Sequence, residues 1–287
     1  MTGAVQEADD VCALPLVRRL SATLDVDPRQ WHDGDAMPRG WHLALFTADT
    51  LQSKLRADGV AGLGVQLPDL ELPRIVFGGR TIHFHGDIPI GAYLRRTSRL
   101  VSVVPKEGRS GRLAVASIEH LIYLRGSDDP VITESHAYVM RESATPRNGH
   151  TGQQTSEQTQ DAAAAARSAA IREPVHRRVV VPDETLLFRV SAVMFNPHRI
   201  HYDLPYTIAT EHYPALVVNG SVTSLLLLEF FRSESGIAVE SIVLRNAGLA
   251  FCGQPLRLNA IPEGRRWTMW ADNEQGAVTV EGTIGLA

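Results

Sequence analysis

The chain is poor in cysteine, in excess charge of either sign and in long apolar runs, and each shortage removes a class of protein. Its 287 residues hold two cysteines, Cys12 and Cys252, too few for a disulfide framework. Thiols this sparse point to a reducing compartment. The 28 basic and 32 acidic residues leave a formal net charge of −4, without the basic excess of a nucleic-acid binder. The longest apolar run, "SLLLLEFF", contains a glutamate and falls short of the roughly 18 residues that a membrane-spanning helix needs. The N-terminus, "MTGAVQEADD", is acidic where a secretory signal is basic. The expectation is a cytoplasmic protein that partners neither nucleic acid nor membrane.

What is present suits a globular chain of one large or two smaller domains. One stretch stands apart, "ESATPRNGHTGQQTSEQTQDAAAAARSAAIREP" at 142–174. Its first part is rich in Gln, Thr, Ser and Gly and lacks large apolar residues, so it cannot contribute to a core. Its alanine run can form a short exposed helix. It reads as a linker between an N-terminal half, 1–141, and a C-terminal half, 175–287.

The C-terminal half has a legible order. "ETLLFRVSAVMF" reads as a strand leading into "FNPHRIHYD", a polar turn marked by proline. Residues 221–232 then carry Val222, Leu225, Leu226, Leu227, Leu228, Phe230 and Phe231, which cover most of a helical wheel. A helix apolar nearly all round is a buried one. Ser221 and Thr223 are suitable capping residues just after Gly220. Strand patterns follow: "ESIVLRN", "PLRLNAI", "RWTMWAD" with Trp267, Met269 and Ala271 on one face, and "AVTVEGTIG" with Val278, Val280 and Ile284 on one face. The N-terminal half repeats the order faintly. A short apolar helix opened by a glycine, "RGWHLALF", precedes an irregular excursion and the strand candidates "IHFHGDIPI", "AYLRRTSRLVSVV", "RLAVASIEHLIYLR" and "VITESHAYVM". The implied design is α+β: one buried helix followed by an antiparallel sheet curled around it, duplicated.

Four stretches, "FNPHRIHYDLPYT", "HYPALVVNGSVTSLLLL", "FHGDIPIGAYLRRTSRLVSVVPKEGRSGRLAVASIEH" and "WHLALF", resemble the MaoC-like hydratases and dehydratases, and the whole chain looks like their double hot-dog relatives. The resemblance implies two hot-dog units, the first shaping an acyl tunnel and the second carrying the catalytic residues. It implies reversible hydration of an enoyl thioester with no metal or redox cofactor, coenzyme A arriving as part of the substrate. Chain length and the density of the match favour a short branched dicarboxylyl-CoA, itaconyl-CoA or mesaconyl-C4-CoA giving citramalyl-CoA. The alternatives are a 3-hydroxyacyl-thioester dehydratase of fatty acyl chains, a non-catalytic acyl-CoA-binding hot-dog and a hot-dog thioesterase. Hot-dog units pair and this chain holds two, so a monomer and a homodimer are both open.

Hydration needs a base for water and a partner for the thioester oxygen as it becomes enolate-like. A histidine, with an ordinary pKa near 6.5, suits the first task, and the resemblance places His201 in it. The amides at a helix N-terminus suit the second, which singles out Gly220 with Asn219 before it. The wider family carries an aspartate five residues ahead of its histidine; here Asn196 stands in that place, as it often does in this subgroup. An amide orients but does not ionise. Asp203 is a secondary candidate to orient His201, and Arg199 one to contact substrate. Arg95, Arg96 and Arg99 suit the phosphates of coenzyme A. His198, His201 and Asp203 also offer three metal ligands, but Pro197 argues against the helix that such spacing would use, and no further Cys/His cluster supports a site. The expectation is no metal. His198 with Asp203 matches the acyltransferase spacing of histidine, four residues and aspartate, without the membrane-associating segments that go with it.

Overall fold

A computed structural model describes residues 4–72, 74–108, 111–142 and 173–287. The expected linker lies outside the described residues apart from its ends. The first half contains β1 (Gln6–Val11), α1 (Leu14–Thr23), β2 (Arg74–Phe84), β3 (Tyr93–Gly108), β4 (Gly111–Leu124) and β5 (Ile132–Arg141). The second contains β6 (His176–Val180), α2 (Glu184–Val193), α3 (Leu204–Ala209), α4 (Gly220–Ser235), β7 (Val239–Asn246), β8 (Leu256–Glu263), β9 (Arg266–Asp272) and β10 (Val278–Leu286).

The ten strands of the described residues form one antiparallel sheet in the order β1-β3-β4-β5-β2-β7-β10-β9-β8-β6. Numbering each half's strands from one to five, the first half reads 1-3-4-5-2 and the second reads 2-5-4-3-1. The halves therefore meet through equivalent strands, β2 and β7, paired from Gly79 with Arg245 to His83 with Ser241. A strand–helix–excursion–four-strand unit occurs twice, which is the double hot-dog.

Period-2 alternation makes the strands. In β4, Ala114, Ala116, Ile118, His120 and Ile122 turn inward while their neighbours face outward. The central helix α4 is buried at Val222, Leu225, Leu227, Leu228, Phe230 and Phe231, each at most 3 % exposed. At about 1.5–3 kcal/mol for each buried large apolar side chain, this helix anchors the second unit. Gly236, with φ of 62°, closes it in the left-handed conformation that favours glycine.

Two expectations are corrected. "ETLLFRVSAVMF" is not a strand but helix α2, because Asp183 caps it by accepting the Leu186 amide at 2.7 Å and burial recurs at Leu187 and Val190. The apolar run alone fits either element; the cap and the period of three decide it. "RGWHLALF" forms only a single 3-10 turn, Trp41–Ala44, opened by Gly40 at φ of 100°. A Cβ on Gly40 would lie 2.6 Å from Leu228 of α4. Among the described residues the first unit thus has no long central helix, and its turn packs against the helix of the second. The inner face of its sheet differs accordingly: Ser98, His120 and Glu134 are buried there, where the second unit has Leu258, Met269 and Ile284.

Candidate active site

The site is assembled where "FNPHRIHYD" meets the N-terminus of α4. Phe195 adopts φ of 48° and turns the chain out of α2, with the Asn196 amide donating to Ser191 O at 2.8 Å. Asn196 Oδ1 then accepts from the His198 amide at 3.1 Å. This orders the turn that leads into a 3-10 segment, Arg199–His201. The first half presses on the same turn. A Cβ on Gly59 would sit 2.0 Å from Pro197 O, and Asp58 O accepts from the Arg199 amide at 2.9 Å.

His201 is buried, and its Nδ1 lies 2.7 Å from Val217 O. A carbonyl only accepts, so Nδ1 carries the proton and the Nε2 lone pair is left for chemistry. The Val217 amide returns a bond to Ile200 O at 3.0 Å, so the histidine turn and the segment entering α4 form one body. Asn219 caps α4, its Oδ1 accepting from the Ser221 amide at 2.7 Å. The Asn219 carbonyl accepts from Val222 and Thr223. Among the described residues the Gly220 amide has no hydrogen-bond partner. Among the described residues the arrangement offers a buried imidazole whose Nε2 has no hydrogen-bond partner and, on the segment that fixes it, an unspent amide at the positive end of a 16-residue helix.

Burial pushes His201 down to about 4; its bond to Val217 opposes that shift and the His198 ring, 5.2 Å away, adds to it. Burial also lowers His198, against the opposing pull of Asp58 and Glu211, and pushes His120 down to about 3. Both His201 and His120 are therefore neutral in the folded chain over a range where the unfolded chain, with a pKa near 6.5, binds protons. Stability held above pH 6.5 is lost progressively as pH falls toward about 4. The urea midpoint is expected to drop between pH 7 and 5, before most carboxylates titrate; a flat midpoint over that interval would contradict these buried neutral imidazoles.

The other expected residues separate into different places. Asp203 caps α3, accepting the Tyr206 amide at 3.1 Å, and binds Arg199 at 2.8 Å. Arg199 also lies 3.9 Å over the Tyr206 ring and reaches Ala57 O. The pair spends itself on the turn and does not orient His201. Arg95, Arg96 and Arg99 do not form one phosphate site, because strand alternation splits them. Arg95 lies over Tyr123 and faces Glu7, and Arg99 pairs with Glu119 at 2.7 Å, both on the outer face. Arg96 points inward with Leu94 and Ser98. Among the described residues no three His, Cys, Asp or Glu side chains converge on a common metal position.

One residue escaped sequence reasoning. A Cβ on Gly220 would lie 2.9 Å from Asn246 Nδ2 and 3.2 Å from its Oδ1. Asn246 ends β7 and donates to Phe77 O at 3.2 Å, across the join between the halves. Its only sequence signal is a polar residue closing an apolar strand pattern.

The fold and this coupling of histidine to helix terminus define a double hot-dog of the hydratase and dehydratase class. The sequence profile of hydroxyacyl-thioester dehydratase type 2 matches residues 40–252. The mesaconyl-C(4)-CoA hydratase of Chloroflexus aurantiacus is 33% identical over 98% of this chain and 94% of its own. The mitochondrial hydroxyacyl-thioester dehydratase type 2 of Schizosaccharomyces pombe is 26% identical over 79% of each. The crystal structure of a MaoC-like dehydratase from Phytophthora capsici superposes with a TM-score of 0.67, at 13% identity, covering 99% of this chain and 95% of that one. The chain belongs to the hydroxyacyl-thioester dehydratase type 2 family, a family of hydro-lyases.

Proposed function

We propose that the protein hydrates, reversibly, a short branched dicarboxylyl enoyl-CoA such as mesaconyl-C4-CoA or itaconyl-CoA. The observation that carries the chemistry is the Nδ1 bond of His201 to Val217 O, which leaves Nε2 as the base beside the N-terminus of α4. With mesaconyl-C4-CoA, whose double bond is conjugated with the thioester, water adds to the β-carbon as Nε2 takes one of its protons. The π electrons move onto the thioester oxygen, which the Gly220 amide receives as an enolate-like anion. Imidazolium Nε2–H then protonates the α-carbon, so one histidine handles both transfers. A buried, weakly basic imidazole suits that return step, and Val217 O steadies the imidazolium. Asn196 stays out of proton transfer, since its Oδ1 is engaged by the His198 amide. No step calls for a metal or redox cofactor.

The substrate class is supported by the similarity to the mesaconyl-C(4)-CoA hydratase along almost the whole chain. The second reading, dehydration of 3-hydroxyacyl thioesters on fatty chains, draws on the family profile and the yeast relative. Incubation with mesaconyl-C4-CoA, itaconyl-CoA, crotonyl-CoA and a long-chain enoyl-CoA separates them. The hydrated product, a gain of one water by mass, is expected fastest from the dicarboxylyl thioesters. Preference for the long chain would install the second reading. Free CoA without hydrated acyl product would indicate a thioesterase, and binding without turnover a non-catalytic module.

A further inference from the structure

The turn that carries His201 is held from two sides, and the two sides belong to different halves of the chain. The second unit holds one side, where the Val217 amide donates to Ile200 O and His201 Nδ1 donates to Val217 O. The other side meets a turn of the first unit, Arg56 to Val60, in the irregular excursion between Trp41–Ala44 and β2.

That turn is closed by its own residues. The Gly59 amide donates to Arg56 O at 2.9 Å and the Arg56 amide to Val60 O at 3.3 Å. Asp58 Oδ1 accepts from the Val60 amide at 2.9 Å, the two-residue reach that suits aspartate to turns. Asp58 also pairs with Arg56 at 3.0 Å. Gly59 takes φ of 84°, the left-handed conformation that a side chain resists. Its shape is thus set from within, and three successive backbone groups are left to face the second unit.

All three meet the catalytic turn. Ala57 O accepts from the Arg199 guanidinium at 3.3 Å, Asp58 O accepts from the Arg199 amide at 2.9 Å, and Gly59 packs its bare Cα against Pro197 O. A Cβ on Gly59 would sit 2.0 Å from that oxygen, where ordinary contact begins at 3.4 Å. One of the two turns would have to retreat by about 1 Å or more. Arg199 opens the 3-10 segment that ends on His201, and the His201 amide donates to His198 O at 3.2 Å. A shift at Pro197 and Arg199 therefore reaches the imidazole within a single turn of backbone.

We propose that Ala57, Asp58 and Gly59 of the first unit position the catalytic turn of the second, fixing where His201 Nε2 stands relative to the Gly220 amide. This rests on the hydratase reading for its reaction but not for its geometry. The first unit then governs the rate of a reaction performed by residues of the second.

Gly59→Ala is expected to lower kcat about 10²-fold, the scale of a 1 Å misplacement, with KM within about threefold. Gly64→Ala is the control. Gly64 lies in the same excursion with φ of 71°, and a Cβ there would meet nothing within 4 Å among the described residues. It suffers the same backbone strain without the contact, so its kcat should stay within about threefold. Equal losses in the two variants, or full activity in Gly59→Ala, would overturn the positioning role.

The His201 ring gives a second readout, its titration followed by NMR. Burial is the main cause of its low pKa of about 4, and the neighbouring His198, itself facing Asp58, Glu211 and Arg56, adds to it. A displaced turn admits water, so Gly59→Ala should move the midpoint up from about 4 toward 6.5 while Gly64→Ala leaves it in place. Partial unfolding would reduce the folded signal without moving its midpoint. An unmoved midpoint would remove the positioning role. A raised midpoint in a protein that hydrates nothing would keep that role and remove the hydratase reading. Should Gly59→Ala not fold, Asp58→Ala loosens the turn without adding an atom beside Pro197, and kcat should fall about tenfold at similar KM. Asp58→Asn, which keeps the acceptor for the Val60 amide, should recover most of that loss; an unchanged kcat in Asp58→Ala, or an equal loss in both, would overturn the proposal.

Discussion

Replacing His201 by alanine is expected to lower kcat on an enoyl thioester about 10²-fold or more, the usual scale for a lost general base. The substitution also removes the 2.7 Å bond to Val217 O and opens a gap at a buried position. His201→Gln is therefore the companion variant: its amide can donate to Val217 O without supplying a base at Nε2. Both variants should lose activity alike while the glutamine variant keeps more stability, measured by urea midpoint. Activity within about tenfold of the original in either variant would remove His201 from catalysis. Asn196→Asp should keep most activity, since a carboxylate oxygen still accepts the His198 amide and proton transfer does not pass through this position. A large rise in kcat with Asp would show that a second proton carrier had been missing.

Much of this was legible in the residues, for identifiable reasons. The all-round apolar surface of α4 and the alternation of β7 to β10 are strong local patterns, because burial on all sides or on one face leaves a period that sequence preserves. The duplicated topology followed from two such units in order. The N-terminus of α2 was not legible from hydrophobicity, since Leu186, Leu187, Phe188 and Val190 suit a strand equally; Asp183 with its accepted amide, and burial recurring at Leu187 and Val190, distinguish the helix. The pairing of Arg199 with Asp203 depends on where side chains land in space, whereas the split of Arg96 from Arg95 and Arg99 follows from alternation along the strand. The polar inner face of the first unit did leave a trace: in "VITESHAYVM" the positions of Glu134, His136 and Tyr138 alternate in phase with Ile132 and Met140, placing ionisable groups on a face expected to be apolar.

Gly220→Ala tests the other half of the mechanism and should lower kcat about 10²-fold, with the fold retained. Alanine is a better helix former than glycine, and the position is the first of α4, so backbone propensity favours the change. The cost arises in space. The new Cβ would sit 2.9 Å from Asn246 Nδ2, and that amide cannot retreat without loosening its 3.2 Å bond to Phe77 O. Either Asn246 moves or the first turn of α4 tilts, and with it the Gly220 amide that receives the developing oxyanion. Displacement of such a donor by about 1 Å costs on the order of 10²-fold, comparable to losing it. The double variant Gly220→Ala with Asn246→Ser shortens the obstructing side chain and should recover part of kcat. Recovery would assign the loss to crowding at the helix terminus. Full activity in Gly220→Ala alone would move the oxyanion site away from α4, because the amide could then be displaced without consequence for the enolate.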